Sequence, residues 1–139
     1  MLPINYVAVL VAAIASFVIG FLLHGPVLGK MWMELANIHP TGDEKFMDMM
    51  PQIIKNILAD ILFAYGLSAV YVLSSTSTLI STQGAVRGMM VAFLVWLGFI
   101  VASSSMEVIW MGRSYKLWWF ELFASLLSCL AMGTIIAVL

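Results

Sequence analysis

Polar and apolar positions segregate along this chain into four long apolar runs joined by shorter polar connections. The runs are INYVAVLVAAIASFVIGFLL at 4–23, IIKNILADILFAYGLSAVYVL at 53–73, AVRGMMVAFLVWLGFIVASSSMEVIW at about 85–110 and LWWFELFASLLSCLAMGTIIAVL at 117–139. At about 1.5 Å per residue, roughly 20 helical residues cross a hydrocarbon core of about 30 Å. The pattern therefore predicts an all-α fold: an integral-membrane four-helix bundle forming a single transmembrane domain over 1–139, with a polar cytoplasmic loop at 24–52. The first run lacks the basic lead and small-residue cleavage site of a secretory signal, so all four spans are expected to remain.

Composition agrees. Of 139 residues, 63% are hydrophobic and only 9% are charged, with a mean hydropathy of +1.08, whereas soluble domains carry roughly 25% charged residues. A formal charge of -1 with six scattered Lys and Arg offers no footprint for nucleic acid, and the partner implied first is the lipid bilayer. Cys129 is the single cysteine, which excludes an internal disulfide. Lys30, Lys45, Lys55, Arg113 and Lys116 fall in the first and third connections and Arg87 alone in the second. The bias predicts both termini outside and the basic loops in the cytoplasm of a bacterial inner membrane.

Residues 23–32, LHGPVLGKMW, end the first run with a cluster of unusual residues. It is not a phosphate-binding loop: only three residues separate Gly25 from Gly29, and Met31 stands where that loop needs a hydroxyl. Pro26 removes a backbone donor and disfavours helix at the residue before it, so Gly25-Pro26 predicts a stop or sharp kink. Lys30 can snorkel and Trp32 can sit in the headgroup belt. Alternatively, the segment is partly unwound and lines a cavity. In the loop beyond it, Asp43 is expected to cap a short amphipathic segment bearing Phe46, Met47, Met49 and Met50, and Pro51 to open the second span. His39, Asp43, Glu44 and Asp48 match no metal-ligand spacing and read as a solvated acidic loop. The second connection, SSTSTLISTQG, suits a tight outer turn. Ile19 to Leu22 and Leu97 to Ile100 are alike, but four positions do not carry a duplication.

Helices in a bilayer associate through small residues and polar contacts. Ala8, Ala12, Ser16 and Gly20 form one such stripe, and Gly84, Gly88 and Ala92 another. Buried charge is more informative, because at mid-membrane it costs at least about 2.5 to 3.5 kcal/mol and faces protein or water. Asp60 is expected about 10 Å inside the second span, on a face with Asn56, Ala64, Leu67 and Tyr71. Glu121 leads a small and polar stripe of Ala124, Ser125, Ser128 and Ala131. His24, Asn56, Asp60, Glu107, Arg113, Lys116 and Glu121 all project into one half of the bilayer, which predicts a polar cytoplasmic half and a drier outer half. Either the carboxylates pair with Arg113, Lys116, Lys55 or His24 and fix helix register, or Asp60 and Glu121 line a vestibule for a cation, proton or small solute.

No nucleophile stands beside a base and no two-His metal spacing occurs, so neither catalysis, a metal nor a cofactor is expected. Asn5-Tyr6, Gly25-Pro26-x-x-Gly29-Lys30-x-Trp32, Gly88, Trp96-Leu97-Gly98-Phe99, Gly112-Arg113-Ser114-x-Lys116-Leu117-Trp118 and Gly133 together resemble the domain of unknown function 1761 family. The resemblance runs in order along nearly the whole chain and implies a small, mostly bacterial, four-span membrane protein without an established activity. It singles out Gly25, Pro26, Gly29, Lys30, Trp32, Gly112, Arg113 and Lys116. The chain departs from the pattern at Leu23-His24, where aromatic residues are common, and at Glu121, where Asn or Asp is. Two functions are open: transport or ion and small-solute binding by a homo-oligomer, a dimer or higher, and a non-catalytic scaffold that docks an unlike membrane protein.

Overall fold

A computed structural model of the chain describes residues 2–43, 45–76 and 82–139. Among them there is helix and no strand, and four segments are long and apolar enough to cross a membrane: Tyr6–Val27, Phe46–Ser75, Gly84–Met111 and Tyr115–Val138. The expected all-α bundle is what forms, with the second span longer than its apolar run. Residues 77–81 of the connection expected to be a tight turn, like Glu44 of the acidic loop, lie outside the described residues.

Helix α1 (Tyr6–Leu22) starts on Asn5, whose Oδ1 accepts from the amides of Val7 and Ala8 at 3.1 and 3.2 Å. This satisfies two of the donors that a helix start leaves unpaired. The Asn5 amide also donates to the Leu139 carbonyl at 3.0 Å, tying the start of the first span to the end of the last. A π-helical turn, Leu23–Val27, then carries the expected kink. Gly25 leaves helical geometry at φ -120°, ψ -106°, next to Pro26.

The chain turns straight into α2 (Gly29–Leu35). A Cβ on Gly29 would stand 2.9 Å from the His24 carbonyl oxygen, so glycine allows the helix to fold this tightly against the turn before it. Asn37, at φ 55°, ends α2 in left-handed geometry. Its amide donates to Glu34 and that of Ile38 to Met33, the paired closure typical of helix ends.

Helix α3 (Phe46–Ser75) corrects the expected loop 24–52. It runs 30 residues without a break, and the segment from Phe46 to Met50 is its first turn rather than a separate helix. Asp43 does not cap it; Lys45 occupies that position, with no side-chain hydrogen bond. Pro51 lies inside the helix as its sixth residue, where it removes one hydrogen bond. The third span comprises α4 (Gly84–Val95), a π-helical turn (Trp96–Val101) and α5 (Ala102–Met111). Gly112, at φ 68°, closes it, and α6 (Tyr115–Val138) follows after two residues.

Helix α6 is the hub, packing against α1, α3 and α4. Apolar and small residues surround it, as suits a helix with neighbours on several sides. Val9, Ala12 and Ala13 of α1, Ala64 and Leu67 of α3, and Val91 and Ala92 of α4 meet Cys129, Met132 and Ile136 of α6 in the core. Where α4 crosses α6 the backbones nearly touch at Gly88 and Gly133. In the stripes read from sequence, Ala8, Ala12, Ser16, Gly88 and Ala92 are buried. Gly20 and Gly84 take other roles: nothing lies within 4 Å of a Cβ at either, and Gly84 holds φ 62° where α4 begins. The dense core occupies the half of the bundle nearest the termini. Toward α2 the helices part.

Candidate functional site

Between α1, α3 and α6, at the α2 end, lies a cavity of about 1080 Å³. Each of the three helices lines it with a ladder of small or polar positions about one turn apart: Ser16, Gly20 and His24; Gln52, Asn56 and Asp60; Glu121, Ser125 and Ser128. Spacings of three and four keep such side chains on one helix face. Phe63, Ile100, Cys129 and Met132 line its deeper, core-side end, and Phe46 and Met49 contribute from the first turn of α3.

Two acidic centres face this space. Glu121, about 9 Å along α6 from Tyr115, accepts the Trp32 indole N–H on Oε1 at 3.0 Å and meets His24 Nε2 on Oε2 at 3.1 Å. His24 Nδ1 lies 2.9 Å from the Gly20 carbonyl, which can only accept, so Nδ1 carries a proton. The contact between Nε2 and Oε2 then holds one further proton, on either atom, and the pair is neutral as a unit. Edge-on contacts from Trp32 and Phe120 fix the imidazole, with ring centroids 5.2 and 5.4 Å away. The kink at Gly25 and the glycine at position 29 bring Trp32 to this place.

The second centre is Asp60. Its Oδ1 accepts from the Ser16 hydroxyl at 2.9 Å and its Oδ2 from the Asn56 amide at 3.0 Å. Because α3 begins at Phe46, Asp60 stands at the middle of a 30-residue helix, about 21 Å from its first residue. Among the described residues no basic side chain forms an ion pair with it. Each oxygen has one donor, and a carboxylate has room for about four.

Of the candidates read from sequence, His24, Asn56, Asp60 and Glu121 share the cavity, whereas Glu107, Arg113 and Lys116 do not line it. Glu107 pairs with Arg113 across the α5–α6 turn, whose left-handed Gly112 brings the Arg113 amide to the Glu107 carbonyl at 3.3 Å. Lys116 and Lys30 are exposed, as are Gly25 and Pro26, while Gly29 is buried. Glu107 and Glu121 have basic partners, and among the described residues Asp60 has no ion-pair partner.

Trp32, for which a headgroup anchor and a cavity-lining segment were both open, lines the cavity wall and bonds Glu121. Sequence reasoning gave Ser16 only a packing role and did not find its bond to Asp60. The available sign was that Ser16 is the one Ser or Thr in the run 4–23. Trp96, whose indole donates to Ser125 Oγ at 2.9 Å, was equally unforeseen; that bond joins the π-helical turn of the third span to the α6 ladder. Among the described residues no three His, Cys, Asp or Glu side chains converge as a metal site requires.

Compared with known proteins, residues 7–137 match the sequence model of one family, described as Protein of unknown function (DUF1761). No curated protein and no solved structure matches the chain.

Proposed function

The chain belongs to the DUF1761 family, and from that premise we propose that it is a multi-pass membrane protein that binds a small solute in the cavity between α1, α3 and α6 and passes it across the bilayer. The observation that carries this reading is Asp60. A carboxylate at mid-helix, held by two neutral donors and facing an open space, is costly in a bilayer unless water or a ligand meets it. Two features support movement as well as binding. The first span is broken at Gly25, within Leu23–Val27, and the third carries a π-helical turn at Trp96–Val101, both beside the cavity lined by His24 and Ile100, and membrane proteins tolerate broken helices where they line a cavity. Such breaks recur in transporters at their binding sites.

Thiol accessibility tests the reading. With Cys129 replaced by Ala, cysteines at Asn56 and Ser125 should react with a charged, membrane-impermeant thiol reagent at least about tenfold faster than cysteines at Leu62 or Val91, because thiolates form where water reaches. Leu62 lies on the outer face and Val91 in the core. Equal, slow labelling at all four positions would show a dry bundle and end the proposal.

We place the protein in an inner membrane with both termini outside and the cavity opening to the cytoplasm. Five of the six basic residues are at the α2 end or within the first turns and connections there, and Arg87 is at the other; cytoplasmic loops carry such an excess. Alkaline phosphatase fused after Leu139 should be active and a fluorescent protein fused there dark. The opposite result would reverse the orientation.

A further inference from the structure

On the reading that this cavity takes a small solute, we propose that the solute is a protonated amine carrying an apolar or aromatic body. Charge decides the first half. Among the described residues no Lys or Arg lines the cavity, so an anion would meet carboxylates there rather than a Lys or Arg. His24 is engaged by Glu121 and Gly20, and that pair is neutral as a unit, leaving Asp60 as the uncompensated group. Its oxygens each accept one hydrogen bond, from Ser16 and from Asn56, and both donors hold the carboxylate in place while leaving acceptor positions open. An ammonium N–H fills such a position with a charge-assisted bond.

Volume and lining decide the second half. About 1080 Å³ is the scale of sites for organic ligands, commonly about 300 to 1,000 Å³, and far exceeds what a bare ion occupies. No metal-type ligand set converges there among the described residues. Much of the remaining lining is aromatic or thioether, from Phe46 and Met49 at the start of α3 through Phe17 and Phe21 to Phe63 and Met132 at the core-side end, with Ile53 and Ile100 among them. Aromatic faces attract cations at close range, and methionine adapts to bodies of varied shape. A carboxylate within apolar walls is the complement of an amine with an apolar body; inorganic cations use only the first of these and neutral apolar solutes only the second.

Dansylcadaverine, a fluorescent primary amine, and its uncharged N-acetyl derivative test this with purified full-length protein in mild detergent, after subtraction of empty micelles. The amine should give a saturable fluorescence rise and the N-acetyl derivative none. Asp60→Asn should weaken amine binding about tenfold or more, the scale of a lost charge-assisted hydrogen bond. Asp60→Glu, which keeps the charge, should bind within a few-fold of wild type and guards against misfolding as the cause. The amine should also slow labelling of a cysteine at Ser125. Equal binding of the two probes, wild-type binding by Asp60→Asn, or no saturable rise with the amine each overturns the proposal. If the cavity cysteines label rapidly in that case, the solute cavity stands and only the amine is wrong; if they do not label, the cavity itself falls.

Discussion

Replacing Gly88 by Val should destabilise the bundle by about 3 kcal/mol, the upper part of the usual range for overpacking, and lower its unfolding temperature by on the order of 10 °C. A Cβ at Gly88 would collide with the Gly133 carbonyl oxygen and lie 2.6 Å from the Ala137 Cβ and 2.8 Å from the Gly133 carbonyl carbon. Most of the obstruction is backbone, so no side chain can rotate away and α4 must part from α6. The contact is reciprocal, since a Cβ on Gly133 would come within 2.6 Å of the Ala92 Cβ. Helices in lipid have little besides such close contact to hold them. Gly66→Ala is the control: nothing lies within 4 Å of a Cβ there, and alanine in mid-helix should stabilise by up to about 1 kcal/mol. Cys129, the single thiol, is buried in the core beside Met132 and Ile136, so the onset of its reaction with a fluorogenic maleimide during heating reports unfolding without an introduced cysteine. An unchanged transition in Gly88→Val would mean that α4 and α6 do not cross at these glycines.

This crossing was half legible. Gly88 and Ala92 stand four apart, and that spacing marks a contact face whatever its partner. Nothing local to 84–92 selects Gly133 of α6 over another helix, because partner choice is a property of the assembled bundle. The four spans were legible for a simpler reason: a run of about 20 apolar residues has few other fates. The start of α3 was not. Its apolar run begins at Ile53, while the helix begins at Phe46, through Pro51; Met47, Met49 and Met50 are good helix formers.

The site divides in the same way. Depth in an apolar run identified Asp60 and Glu121, as the cost of burying charge dictates. His24 was among the basic partners read for the carboxylates, but Ser16 and Trp32 were illegible because they lie 44 and 89 residues from the acids they bond. Trp32 illustrates the limit. Average behaviour sends a tryptophan near a helix end to the headgroups, but the kink angle at Gly25 and the close seat of Gly29 against the His24 carbonyl turn α2 under the bundle. Neither angle can be read from residue types.

Glu121→Ala should therefore release α2. The substitution removes the acceptor of the Trp32 indole and the partner of His24 Nε2 together, leaving two polar groups unsatisfied at a site where the His24 and Glu121 side chains are only 29% and 31% exposed. Leaving a polar group without a partner costs about 1 to 3 kcal/mol, and the lower part of that range is expected here because both side chains keep some access. Amides of residues 29–36, protected in α2, should exchange with solvent deuterium on the order of tenfold faster, while those of the α6 core around Met132 should not change. Glu121→Gln separates geometry from charge. Its amide oxygen can still accept from Trp32, and its amide N–H can donate to His24 Nε2 when Nδ1 holds the proton toward Gly20. Protection of α2 should then return to within a few-fold of wild type although the carboxylate is gone. If Glu121→Ala exchanges like wild type across 29–36, α2 is held by its short connection to the Gly25 kink rather than by this acid, and the Glu121 clasp has no structural role.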